Sequence, residues 1–163
     1  MTAQEDVHPV IKLAGFALAH AAWSVCEGET LCTLAVVEND NERQLFRFEG
    51  TISDSLDKAR EELAQLELDG AYWALVFDGY LTPTQGKRQD ALVIQIGGKS
   101  PLPSRVVQQY QKKSFLRKFK IIGKPLFVED SHQAGKADLY EQWLQEGVKE
   151  HPKVCELWDI WNS

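Results

Sequence analysis

The order of patterns along this chain predicts an α+β fold: a mainly antiparallel sheet of about five to seven strands with helices packed on one face. Two observations carry that expectation. Helix-period segments stand near the two ends and once between a hairpin and the central sheet, while strand-like runs from residue 72 to residue 128 follow one another directly. The connections between those runs are turn-rich rather than helical, so the alternating β-α-β rhythm of a parallel sheet is missing.

Each element has a local reason. Pro9 suits a first helical turn, with its fixed φ and missing N–H, so a helix is expected from about Pro9 to Val25. Val10, Leu13, Ala14, Ala17, Ala21 and Val25 keep helical spacing, and Ile11, Leu18 and Ala22 widen the stripe. A helix apolar over so much of its circumference belongs at the centre of a fold. Leu31 to Val37 and Gln44 to Phe48 read as a hairpin across Glu38-Asn39-Asp40-Asn41-Glu42. Thr51 and Asp54 form a capping box for a helix from about Ile52 to Leu68, with Leu56, Ala59, Leu63 and Leu66 as its buried stripe and Asp69-Gly70 as its stop.

The centre reads as sheet. Tyr72 to Phe77 is a buried-strand run that Tyr80 to Thr82 continues past a bulge, and Asp90 to Ile96 returns after the Pro83-Thr84-Gln85-Gly86 turn. Val106 to Tyr110 and Phe115 to Ile122 are further strands, the latter alternating Phe115, Arg117, Phe119 and Ile121 against Lys118 and Lys120. Leu126 to Val128 closes the sheet. A helix from about Ala137 to Glu150 carries Leu139, Tyr140, Trp143, Leu144 and Val148, and a last turn gathers Leu157, Trp158 and Trp161.

The 163 residues, 44% hydrophobic and 26% charged, fit one globular domain over residues 1–163, with residues 1–8 as a flexible N-terminus. Leu13 to Ala22 resembles a signal-peptide core, but Glu5 and Asp6 occupy the place of a basic flank, and Lys12 and His20 break the run. Cys26, Cys32 and Cys155 make neither a C-x-x-C motif nor an even set, which fits reduced thiols in a cytoplasmic protein.

Charge is segregated along the chain. Residues 1–85 hold 5 Lys/Arg against 15 Asp/Glu, residues 86–128 hold 10 against Asp90 alone, and residues 129–163 hold 3 against 8. The basic block is Lys87, Arg88, Lys99, Arg105, Lys112, Lys113, Arg117, Lys118, Lys120 and Lys124, interleaved with Tyr110, Phe115 and Phe119. Basic residues with aromatics between them are used by single-strand nucleic-acid binders. A net charge of −6 opposes that reading. If alternation sends the aromatics inward, a cationic surface suited to an acidic protein remains.

Nucleotide chemistry is not expected. Gly97-Gly98-Lys99-Ser100 looks like the end of a P-loop, but Val93 stands where the first glycine belongs, and Pro101 and Pro103 prevent a helix from opening there. Asp78 and Asp90, with Tyr80, are the candidate carboxylate site: two acids at one end of a hairpin could split their pKa values or hold a hard cation. The plainer account has Asp78 turning the chain with Gly79 and Asp90 pairing with Lys87 or Arg88. Glu129-Asp130-Ser131-His132 lacks metal-ligand spacing and reads as a helix start. His8 and His151 precede prolines in loops, and His20 does not face Cys26 along its helix. The aromatic tail is expected to fold back over the core.

These readings converge on a cytoplasmic binding or accessory protein, monomer or homodimer, without cofactor, metal or membrane association. It would act through a basic sheet surface made by Arg105, Lys112, Lys113, Arg117, Lys118 and Lys120. A small enzyme using Asp78 and Asp90, and a nucleic-acid or phosphate-ligand binder, are the alternatives.

Overall fold

The computed structural model describes residues 3–82, 86–98, 105–128 and 136–162. In chain order these form α1 (Ala3–Val25), β1 (Thr33–Asn39), β2 (Glu42–Phe48), α2 (Ile52–Leu68), β3 (Tyr72–Leu81), β4 (Gln89–Gly97), β5 (Arg105–Gln111), β6 (Lys120–Val128), α3 (Ala137–Lys149) and α4 (Trp158–Trp161). The six strands make one sheet in the order β2-β1-β3-β4-β5-β6, every pair antiparallel. The expected α+β class therefore holds.

Alternation along β1 and β3 decides the layering. Leu34, Val36, Ala74 and Val76 join the cluster that includes α1 and α3, whereas Ala35, Val37 and Leu75 join the cluster that includes Leu56, Ala59 and Leu63 of α2. The helices thus cover both faces of the sheet, not one. The uninterrupted apolar runs of β1 and β3 have this physical cause, because a strand buried on both faces has no polar side to alternate. Thr51 accepts the Asp54 N–H at 3.2 Å, as the capping box requires, and the Ser55 hydroxyl donates to Thr33 Oγ1 at 2.9 Å to tie α2 to β1.

The first hairpin is tighter than the sequence suggests. Asp40 and Asn41 alone form the turn, at φ 51° and 67°. Positive φ at both positions matches a two-residue primed turn, which Asp and Asn tolerate better than branched residues. β3 continues through Leu81 in unbroken register with β4, so the expected bulge near Asp78-Gly79 does not occur. The sheet's irregularity lies instead between β5 and β6, at Val107 and Gln109. There the buried Gln108 side-chain amide donates to the carbonyls of Ile122 and Gly123.

α1 is central, as its wide apolar face implies. It starts at Ala3, so Pro9 lies inside it, and buried Val7 belongs to the core rather than to a loose N-terminus. α1 and α3 meet at backbone distance. A Cβ added to Gly15 would stand 2.0 Å from the Leu144 carbonyl oxygen, and one added to Gly147 would stand 1.8 Å from that of Lys12. The C-terminal tail folds back as expected: Trp158 is buried, and Trp161 meets Phe119 edge to face at 5.0 Å.

One strand expectation fails. Residues 112–119 form a connection, and β6 begins only at Lys120. The supposed alternation from Phe115 breaks because the backbones of Ser114 and Arg117 exchange hydrogen bonds at 2.9 and 3.3 Å, which closes a tight turn around Phe115 and Leu116.

Candidate functional site

At the end of the sheet where β3 finishes, β4 starts and β5 finishes, register places Asp78, Tyr80, Asp90 and Tyr110 on one face. Tyr80 faces Asp90, Asp78 faces Leu92, and Leu92 faces Gln108, two residues from Tyr110. The Tyr110 hydroxyl donates to Asp78 Oδ1 at 2.8 Å. Burial pushes the Asp78 carboxyl above the usual carboxylate range; the Tyr110 hydrogen bond and the Lys112 ammonium oppose this, and the Asp90 carboxylate adds to it. Burial and the Asp78 bond together hold Tyr110 protonated far above neutral pH. The Arg88 guanidinium lies over the Tyr80 ring, 3.9 Å from its centroid. Asp90, Tyr110, Arg88, Lys112, Ser114 and Arg117 share a cleft of about 360 Å³. Asp90 and part of the basic block therefore meet in one cleft, and Asp78 adjoins it through its bond with Tyr110.

The 112–119 connection, which contributes Lys112, Ser114 and Arg117 to this cleft, carries most of the basic residues. Lys112, Lys113, Arg117 and Lys118 lie on it, while Arg105 opens β5 and Lys120 opens β6. Most of the expected sheet surface is thus a loop. The loop is held in shape by the Ser114–Arg117 turn, by Gln111 Nε2 donating to the Lys118 carbonyl at 2.8 Å, and by the Lys113–Glu27 ion pair at 2.5 Å. At its tip Phe115 is fully exposed and Leu116 is 88% exposed.

Neutralisation within the fold is sparse here. Of the described basic block, Lys113 pairs with Glu27 and Lys124 approaches Glu141 at 3.8 Å. Among the described residues, Arg105, Lys112, Arg117, Lys118 and Lys120 have no ion pair within 4.0 Å. Asp90 forms no ion pair with Lys87 or Arg88 by the same measure.

Other sequence candidates resolve differently. Gly97 is explained by packing, since a Cβ there would stand 2.1 Å from the Trp73 ring; Lys99, Ser100, Pro101 and Pro103 lie outside the described residues, as does Glu129-Asp130-Ser131-His132. All three cysteines are free thiols, and no group of three or more metal-ligating side chains is found among the described residues. His8 is helical rather than in a loop, stacked 4.7 Å from Trp143 and bonded to Glu146 at 2.7 Å. Sequence reasoning missed the contact of His20 with His151, Nδ1 to Nε2 at 3.0 Å, because 131 residues separate them and no local pattern joins them.

No helix among the described residues is long and apolar enough to cross a membrane. Comparison with protein-family models, with curated proteins and with solved structures finds no match to this chain.

Proposed function

We propose that this protein is a non-enzymatic cytoplasmic binding module that docks an acidic protein partner through the 112–118 loop. The observation that carries the reading is Phe115-Leu116, two large apolar side chains left in water at the tip of a tight, braced turn. Turn centres are ordinarily filled by Gly, Asn, Asp, Ser or Pro. Keeping Phe and Leu there forgoes roughly 1.5–3 kcal/mol of burial per side chain, which a partner pocket would recover. The bracing also lowers the ordering cost of binding.

The flanks supply direction. Lys112, Arg117 and Lys118 flank the apolar tip without an ion pair within 4.0 Å among the described residues, and Lys120 opens β6 beside the loop, whereas Arg105 stands at the opposite end of β5 and takes no part. Such a field steers an acidic surface and repels a basic one. Nucleic acid fits less well: single-strand binding relies on π faces for stacking, and Leu116 has none.

The test is quantitative capture from the protein's own cells at low salt, after nuclease treatment. The forms compared are wild type, Phe115→Ser with Leu116→Ser, and Lys112, Lys113, Arg117 and Lys118 all changed to Ala. One stoichiometric acidic protein, lost in both variants and weakened by salt in the wild type, is the expected result. Capture that is identical in all three forms overturns the proposal. So does salt-sensitive binding of any added single strand by the purified protein when no protein is captured from the cells, which would identify a nucleic-acid binder.

A further inference from the structure

A second cleft, of about 520 Å³, opens between the end of α1, the 26–32 segment and β2, remote in sequence from the basic loop. Trp23, Leu31, Leu34 and Leu157 give it apolar walls, and Arg47 and Glu29 are among its charged lining residues. Among the described residues Arg47 has no carboxylate within 4.0 Å, whereas Arg43, four residues earlier on the same face of β2, pairs with both Glu38 and Glu150.

The Lys153 backbone N–H donates to His151 Nδ1 at 3.1 Å, so that nitrogen carries a lone pair and neutral His151 bears its proton on Nε2. His151 Nε2–H then donates to His20 Nδ1 at 3.0 Å, which makes that atom an acceptor. Neutral His20 must therefore carry its own proton on Nε2. Arg47 Nη2 lies 3.4 Å from that same Nε2. Two neutral rings hold two protons, and three contacts made by donors at both ends of the chain cannot all be hydrogen bonds. The longest contact is the one that yields. The His20 Nε2–H and the Arg47 guanidinium are thus two donors side by side, an arrangement matched by a single anionic oxygen or a carboxylate spanning both. Burial, with the Arg47 charge, also disfavours protonating His20, which agrees with the neutral ring this count requires.

We propose that this cleft binds a small ligand with a carboxylate at one end and a protonated amine at the other, the carboxylate bridging Arg47, which lines the cleft, and the Nε2–H of His20, which stands at its margin against Arg47 and Trp23. Glu29 supplies the countercharge for the amine: it has no ion pair among the described residues, whereas Glu27 is already engaged by Lys113. The same acidic rim opposes a multiply charged anion such as phosphate. The Trp23 ring, 41% exposed, and the neighbouring leucines receive the methylene chain between the two charges.

The test is an NMR titration of the full chain, following the His20 imidazole nitrogens and the Trp23 indole. The probes are ε-aminocaproate, hexanoate, hexylamine and inorganic phosphate, each at millimolar concentrations. Saturable shifts of both rings with ε-aminocaproate are expected, with hexanoate weaker and phosphate weakest. Arg47→Gln should weaken ε-aminocaproate about tenfold or more, the scale of one charge-assisted contact. Glu29→Gln should leave hexanoate unchanged and remove most of the preference for the aminated probe. Three results overturn the proposal: no saturable shift with any probe, tighter binding of phosphate than of ε-aminocaproate, or undiminished binding by an Arg47→Gln protein whose spectrum shows the native fold.

Discussion

Phe119 and Phe115 are four residues apart and face opposite fates. Phe119 is 6% exposed, stacked near Tyr110 and met edge to face by Trp161, while Phe115 stands wholly in water. The first belongs to the face where α1, α3 and the C-terminal tail close over the sheet. The second tips a loop that the sheet end holds outward. The difference teaches that room in the core is not what limits Phe115: a braced turn fixes its direction, so its exposure is a property of the backbone around it.

The largest effect that probes this contrast is removal of the buried ring. Phe119→Ala is expected to cost about 3–5 kcal/mol, through lost burial and the cavity left beside Trp161 and Tyr110. Denaturant unfolding followed by tryptophan fluorescence measures it. A cost near zero would mean that the tail does not depend on this contact.

Acid should open the packed region next. Burial and the neighbouring His20 depress His151 to about 4. A depressed histidine contributes stability that is complete above its unfolded value near 6.5 and is lost as pH falls through about 4. The loss is on the order of 3 kcal/mol across that window. His151→Gln should flatten this stretch of the stability-against-pH curve, and an unchanged slope would assign the acid sensitivity elsewhere.

Within the sheet end itself a smaller, opposite effect is expected. The Asp78 carboxyl is raised, so the native state favours its protonated form. That contribution is full below the unfolded value of 3.8 and is lost as pH rises through the folded value. At neutral pH a half-buried charge remains as a cost, and Asp78→Asn, which still offers Tyr110 an acceptor, should stabilise the fold. The gain should vanish toward low pH in matched urea titrations. A destabilised variant at neutral pH would show that the carboxylate is held by stronger compensation than Tyr110 and Lys112 provide.

The smallest stability change belongs to the exposed tip. Phe115→Ala with Leu116→Ala should shift unfolding by no more than about 0.5 kcal/mol. A loss of several kcal/mol would place these side chains in a native contact and remove the contrast with Phe119.

Much of the scaffold was legible because its signals are local. Thr51 with Asp54 marked the start of α2 to the residue, the Asn/Asp cluster marked the first hairpin, and the i, i+3, i+4 spacing of Tyr140, Trp143, Leu144 and Val148 marked the buried stripe of α3. The candidate site was half legible. Asp78, Asp90 and the basic block were singled out by residue type and by a run of ten cations against one acid. Tyr110 was noticed only as an aromatic between lysines, since its bond to Asp78 crosses 32 residues.

By itself the sequence determined the fold class, the order and period of its elements, and the separation of charge along the chain, because caps, turns and hydrophobic spacing act over a few residues. Tertiary structure alone decided three things: that α2 lies on the face opposite α1, that Phe115 points outward while Phe119 points in, and that His20, His151 and Arg47 converge beside a cleft. Each of these depends on which strand lies next to which and on a turn closing between Ser114 and Arg117. Those are matters of register and long-range packing, and a pattern read over four or seven residues carries no record of them.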